Sequence, residues 1–358
     1  MNYNKTLAFT AACVGMSFFG ISMITLGTVL PSLTSKLMLN TLQASELVTF
    51  LPLGILAGSI LFGPVVDHFG HRVLFFIGCL LVLFGLTGIT YFKQILPLQL
   101  SILIVGLGGG ILNGETNALV ADIYDDTQRG AKLSLLGAFY GIGAIGIPVL
   151  TGFLSKYYSF EIIIRSISVV MFACIVLCIP IRFPKPRQPQ SFPIRQGFKL
   201  LRSGMLLLLS LILFFESGIE GTCNNWTALY LNKTSTIGHN LILQTLTCMV
   251  VALTVSRLCL AVILKKIRQD YILMGCFAIA LIGFILLYIS SDFGVAAIGM
   301  ICVGIGTSAT FPIILNIIGK EYSAFVGTAF GVAITIGVIG NVFINNLTGI
   351  LSSTFGIT

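Results

Sequence analysis

Glu115, Glu216 and Glu220 stand inside long apolar runs. An ionised side chain at the centre of a membrane-spanning helix costs about 2.5–3.5 kcal/mol, so a carboxylate there is a working residue by default. Glu216, Glu220, Asn224 and Thr227 fall at i, i+4, i+8 and i+11, which makes one polar stripe on a helix. Two carboxylates one turn apart in a low dielectric do not both ionise, so at least one of the pair is expected to hold a proton. Asn113 and Asn117 share a second face, and Asn341 and Asn345 a third. Glu115 lies about 200° around its helix from Asn113 and borders the same space only if neighbouring glycines thin the wall. The alternative for Glu115 is a protonated side chain hydrogen-bonded within the bundle. Trp226 is the one Trp of the chain. Beside polar groups it suits stacking on the apolar face of a pyranose, and near a helix end it equally suits an interfacial aromatic belt. Arg257 is the one cation inside an apolar run, a partner for Glu115 or a span-seven carboxylate, or else a residue at the lipid head groups. Tyr140 and Asn316 are weaker candidates. The chemistry on offer is hydrogen bonding to a small polar molecule and the uptake and release of a proton.

The elements that must hold these groups are helices. Of 358 residues, 56% are hydrophobic and 9% charged, whereas soluble domains carry about 25% charged residues. That balance excludes a soluble enzyme, a nucleic-acid binder and a disordered chain. Continuous apolar runs, rather than short alternating strands, exclude a barrel. Eleven spans are expected, over 7–30, 43–66, 73–92, 97–121, 132–154, 162–181, 204–231, 240–264, 271–290, 293–317 and 323–351. The run from Leu7 to Leu30 has no small-residue cleavage site and reads as a first span, not a removable signal. The nine Cys lie in apolar segments and read as reduced packing residues. His68, His71 and His239 show no ligand or triad spacing, and no Walker-type loop is present, so no metal, cofactor or nucleotide is expected.

Charge sets the orientation. With the N-terminus in the cytoplasm, fourteen Lys and Arg fall on inner segments. Five fall outside: Lys36, Lys93, Lys156, Arg165 and Lys233. The segment 182–203 carries six basic residues, no acid and four prolines. It reads as a cytoplasmic linker between an N-terminal six-helix bundle (1–181) and a C-terminal five-helix bundle (204–358). Arg195, Lys199 and Arg202, beside Phe198 and Leu201, suggest a short amphipathic helix on the inner membrane surface. The halves echo each other. Val105-Gly106-Leu107-Gly108 recurs as Val303-Gly304-Ile305-Gly306, and Thr151-Gly152-Phe153-Leu154-Ser155 as Thr348-Gly349-Ile350-Leu351-Ser352, at offsets of 198 and 197. Two such units would need about forty more residues than the chain has. The expectation is a twelve-helix design without its last helix and with its C-terminus outside.

Between spans two and three the chain reads Gly63-Pro64-Val65-Val66-Asp67-His68-Phe69-Gly70-His71-Arg72. Gly63 allows close helix approach, Gly70 a tight turn, and Asp67 can meet a helix N-terminus or a cation across the halves. This segment resembles the signature loop of the major facilitator superfamily. The Gly137, Gly141, Gly143, Gly146 and Pro148 series in span five is similar to that superfamily's fifth helix. The resemblance implies an all-α membrane fold of two bundles, here with eleven helices, and a conformational latch at Gly63, Asp67, Gly70 and Arg72. The strings Gly108-Gly109-Gly110 with Glu115-Thr116-Asn117, and Glu220, Trp226, Tyr230 and Leu231, look like the fucose–proton symporter branch. Carried over, Glu115, Glu216 and Glu220 would couple a proton. Asn113, Asn117, Glu220, Asn224, Trp226, Asn341 and Asn345 would contact a small solute such as a monosaccharide. The span-four arginine of the superfamily and the span-one acid of that branch have no counterpart here. The implied protein is a monomeric secondary transporter of the inner membrane, not an enzyme, in contact with solute, proton and lipid but not nucleic acid. An efflux carrier for amphipathic compounds and a non-transporting receptor are the alternatives.

Overall fold

The computed structural model describes residues 3–39, 41–185, 200, 202–234, 237 and 239–355. The chain is all helix among these residues, with eleven helical segments long and apolar enough to span a membrane. The first half holds α1 (Lys5–Leu37), α2 (Thr41–Phe69), α3 (His71–Tyr91), α4 (Ile95–Ile123), α5 (Asp126–Leu154) and α6 (Phe160–Cys178). The second holds α7 (Gly204–Thr234), α8 (His239–Ile263), α9 (Gln269–Tyr288), α10 (Phe293–Thr307), α11 (Thr310–Glu321) and α12 (Val326–Phe355). The expected tenth span is therefore two helices, α10 and α11, parted at Ser308 and Ala309. Pro312 contributes to the break: it has no N–H for the Ser308 carbonyl four residues back, and its ring crowds that carbonyl. Most of the expected linker, with the amphipathic helix at Arg195 and Lys199, lies outside the described residues.

Caps fit the sequence. Asn4 accepts from the amides of Thr6 and Leu7 at the start of α1, and Asp292 from Gly294 and Val295 at the start of α10. Asp125 caps α5, and the Thr127 hydroxyl beside it holds its carboxyl below the usual carboxylate range. Gly70 joins α2 to α3 with φ 82° and ψ 167°, a backbone region open almost only to glycine.

Small residues bring the helices together. Gly54 and Gly58 of α2 meet Gly106 and Gly110 of α4, so close that a Cβ on Gly54 would lie 2.9 Å from the Gly106 Cα. The repeat read from sequence is a repeat of packing. Gly106 in α4 faces α2, and Gly304 in α10 faces Met249 and Leu253 of α8. Gly108 faces Gly78 and Val82 of α3, and Gly306 faces Cys276 and Ala280 of α9. The main buried cluster fills the first half and takes in α11 and the start of α12. Large apolar side chains such as Phe153, Leu177 and Met274 are exposed on the outer faces, as lipid contact requires. All nine Cys are free thiols; five are buried and Cys259 is exposed.

Candidate functional site

A cavity of about 200 Å³ lies where helices from both halves converge. Glu216 and Glu220 of the stripe on α7 line it, and Asn224, expected to contact solute, does not. Glu216 is buried, Glu220 is half-buried, and Asn224, one turn further, is exposed, so the stripe runs from the interior towards one end of the molecule. Ser217 donates to Glu216 at 3.2 Å, while the other Glu216 oxygen has no hydrogen-bond partner. Arg257 of α8 is buried in the same cavity. It donates to the Gly137 carbonyl of α5 at 3.3 Å, and its own carbonyl accepts from Ser134 at 2.7 Å. Gly137 makes this possible, because a Cβ there would come 2.9 Å from the Arg257 Cδ. Arg257 is thus a cavity cation and not a head-group residue. Its charge and that of Glu220 both act on Glu216.

Opposite α7, Asn113 and Asn117 of α4 complete the polar lining, with Asn117 donating to the Asn113 carbonyl at 2.7 Å. Asn341 of α12 also lines it and donates to the Ser217 carbonyl at 2.9 Å. Tyr140 joins them, its ring 5.3 Å from that of Phe19. The rest of the wall is apolar: Met16, Met23, Leu51, Ile55, Phe311 and Val338.

Other expected site residues fall elsewhere. Glu115 does not line the cavity: it is fully buried on the far side of α4, with Oε1 3.3 Å from Nδ1 of His71. The 200° offset from Asn113 decides this, since the tightly packed glycines close the wall rather than thin it. Trp226 packs over Gly349 of α12, not into the cavity. Asn345 turns into the α7–α12 contact, where it accepts from Asn225 at 3.0 Å. Thr227 is buried outside the cavity lining, and Asn316 packs near Gly130 of α5.

The latch segment meets the second half. Asp67, at the end of α2, accepts from the backbone amides of Gly327 at 3.2 Å and Thr328 at 2.8 Å, and from the Thr328 hydroxyl. It therefore caps the N-terminus of α12, where exposed amides and the helix dipole favour a carboxylate. Gly63 permits the approach: a Cβ there would sit 2.7 Å from the Gly327 carbonyl oxygen. Among the described residues, Arg72 donates to the Ile179 carbonyl at 3.0 Å, within the first half, and not to the second. Sequence reasoning missed two groups, His71 and Asp122, which bond to each other at 3.0 Å. The available signal was that Glu115 and Asp122 are seven residues apart and share a face of α4.

A bundle of spanning helices around a central polar cavity, with an interlocked contact between its halves at one end, defines a multi-pass membrane carrier. The profile of the Major Facilitator Superfamily matches residues 8–344, and the chain belongs to that superfamily of transporters, not to an enzyme family. The fucose:proton symporter FucP of E. coli, solved in the outward conformation, superposes with a TM-score of 0.81 at 16% identity, covering 97% of this chain and 92% of FucP. At that identity the likeness is one of fold. Among curated relatives, a TsgA homolog of Buchnera aphidicola is 22% identical over 184 residues, 51% of this chain and 48% of the relative. The multidrug resistance protein MdtH of Aeromonas salmonicida is 34% identical over 146 residues, 40% of this chain and 35% of MdtH. The chain thus aligns with half or less of the length of these curated relatives.

Proposed function

We propose that this transporter moves a small polar solute through the central cavity by alternating access, coupled to a proton carried on Glu216 and Glu220. The observation that carries this reading is a single cavity holding two neighbouring carboxylates, one guanidinium and three asparagines, lined by helices of both halves. Two acids beside one arginine leave the pair with one more negative charge than it can balance, and a proton removes it. Asn113, Asn117 and Asn341 supply donors and acceptors for hydroxyl groups, which suits a monosaccharide, and the fold likeness to a fucose:proton symporter supports that choice. We further propose that 1–181 and 204–358 act as the two rocking bundles. The chain then sits as a monomer in the inner membrane with its N-terminus and the Asp67 contact on the cytoplasmic side.

A second reading, export of amphipathic compounds, draws on Met16, Met23, Phe19 and Phe311 in the wall and on the position of Trp226 outside it. Purified protein in vesicles with an imposed proton gradient separates the readings. Accumulation of a labelled monosaccharide that collapses with a protonophore supports symport. Proton release driven by a hydrophobic cation supports export. Specific binding without movement of any solute would point to a receptor and sink both.

A further inference from the structure

Arg257 lines the central cavity and is only 6% exposed. One nitrogen of its guanidinium, Nη1, donates to the Gly137 carbonyl at 3.3 Å. Among the described residues, Nε and Nη2 have no hydrogen-bond partner, and no carboxylate lies within ion-pair distance of the group. Glu216 and Glu220 share the cavity with it but stand off from it.

An arginine stays ionised at any cellular pH, so this is a buried cation and not a neutral donor. A charged donor without a partner costs more than a neutral one, and such groups persist in native structures where a function needs them. The two nitrogens left over form one edge of the planar fork. Their parallel N–H bonds match the two oxygens of a carboxylate. Asn113, Asn117 and Asn341 line the same space and carry no charge.

We propose that the solute is a monoanion of the sugar-acid class, whose carboxylate takes the Nε–Nη2 edge of Arg257 while Asn113, Asn117 and Asn341 hold its hydroxyl groups. This inference rests on reading the central cavity as the transport site and narrows what that site accepts.

Charge sets the number of protons. With one proton shared between Glu216 and Glu220 and no solute, the cavity is neutral. A carboxylate at Arg257 adds a negative charge beside the acid that is still ionised, in a low dielectric. A second proton on that acid restores neutrality, so the loaded cavity holds both acids protonated. A phosphate monoester, with nearly two charges, would leave one uncovered. The helices packed on α8 are α5, α7 and α10. Of their titratable groups, Tyr140, Glu216 and Glu220 line the cavity. Arg129 pairs with Asp126 at 2.7 Å, and Lys132 lies over the rings of Phe9 and Tyr124. Cys223, Tyr230 and Lys233 of α7, Cys302 of α10, and Cys248 and Cys259 of α8 itself do not line the cavity.

Three matched pairs read the charge alone: D-glucuronate with D-glucose, D-galacturonate with D-galactose, and D-gluconate with D-sorbitol. Each labelled compound is bound at equilibrium to the full chain in lipid nanodiscs at pH 6, with glucose 6-phosphate as a competitor. In at least one pair the acid should bind tenfold or more tightly than its neutral twin, and glucose 6-phosphate should displace it at least tenfold less well than the unlabelled acid does. Arg257→Gln should bring the acid-to-neutral ratio within threefold of one. Arg257→Lys, which keeps the charge and loses the fork, should cut the ratio at least threefold, and decides in its place if Arg257→Gln fails to fold. From pH 6 to pH 8, where all three acids are ionised throughout, affinity for the acid should fall at least tenfold. The Glu216→Gln, Glu220→Gln double variant should lose that dependence. Neutral members that bind as tightly as the acids overturn the inference and leave the cavity reading standing. So does a preference for the acid that survives both Arg257 variants, or tighter displacement by glucose 6-phosphate. Binding of no member of the panel overturns both.

Discussion

Glu220→Gln keeps the shape and hydrogen bonding of the side chain and removes its titration. Gradient-driven uptake should fall at least tenfold while the unfolding temperature in detergent stays within 2 °C, a shift of about 1.5 kcal/mol or less for a chain of this size. Normal accumulation would remove Glu220 from the coupling role. Arg257→Met should instead lower the apparent affinity for solute, read by equilibrium binding at fixed pH, because it strips the one cation from a cavity with two acids. The Glu216 and Glu220 pair was legible in the sequence because a four-residue spacing fixes a common helix face. Glu115 was legible as buried and misjudged in direction. Its partner His71 reads as a loop residue until the turn at Gly70 is known to start a helix there. Trp226 was beyond reach, since its place depends on a glycine 123 positions later that no local pattern links to it.

Among the elements, the α2–α3 turn and the α10–α11 break carry the clearest consequences. Gly70→Ala forces an L side chain into a glycine-only region and should cost about 1–3 kcal/mol of stability. Gly146→Ala, where a Cβ meets nothing within 4 Å, should cost nothing measurable in the same thermal scan. Asp67→Asn loses one of two carboxylate oxygens at the α12 N-terminus and its favourable charge. Spin labels at the exposed positions Gln128 and Lys266, one in each half, should then report a larger separated population than in the unaltered chain. The helices themselves were readable from length and apolarity, and the repeated Val-Gly-x-Gly strings foretold matching contacts in the two halves. The split of the tenth span was not foreseen, although Pro312 was in plain sight. Pro52, Pro64 and Pro148 sit inside unbroken helices, so a proline alone does not specify a break.

At the scale of the whole molecule, the proposed orientation, drawn from the asymmetry of Lys and Arg, puts the Asp67 end in the cytoplasm and can be tested directly. An impermeant thiol reagent applied to intact cells should label Lys156→Cys and spare Lys266→Cys. The reverse pattern would invert the topology. The span count and the superfamily were legible because a membrane permits few backbone solutions, each with a compositional signature. The solute was not, because a cavity wall is assembled from single positions on many helices.

The Asp67 contact with α12 has an electrical side. With one end shut, the acids and the arginine of the cavity share the potential of whichever compartment the open end faces. Exchanging the closure moves the membrane field past these charges even if no side chain travels far. Each net elementary charge so transferred is worth about 2.3 kcal/mol per 100 mV. With both acids ionised the cavity carries one net negative charge, and with one of them protonated it carries none. Voltage should therefore drive the return of the deprotonated carrier and leave the protonated stroke almost untouched.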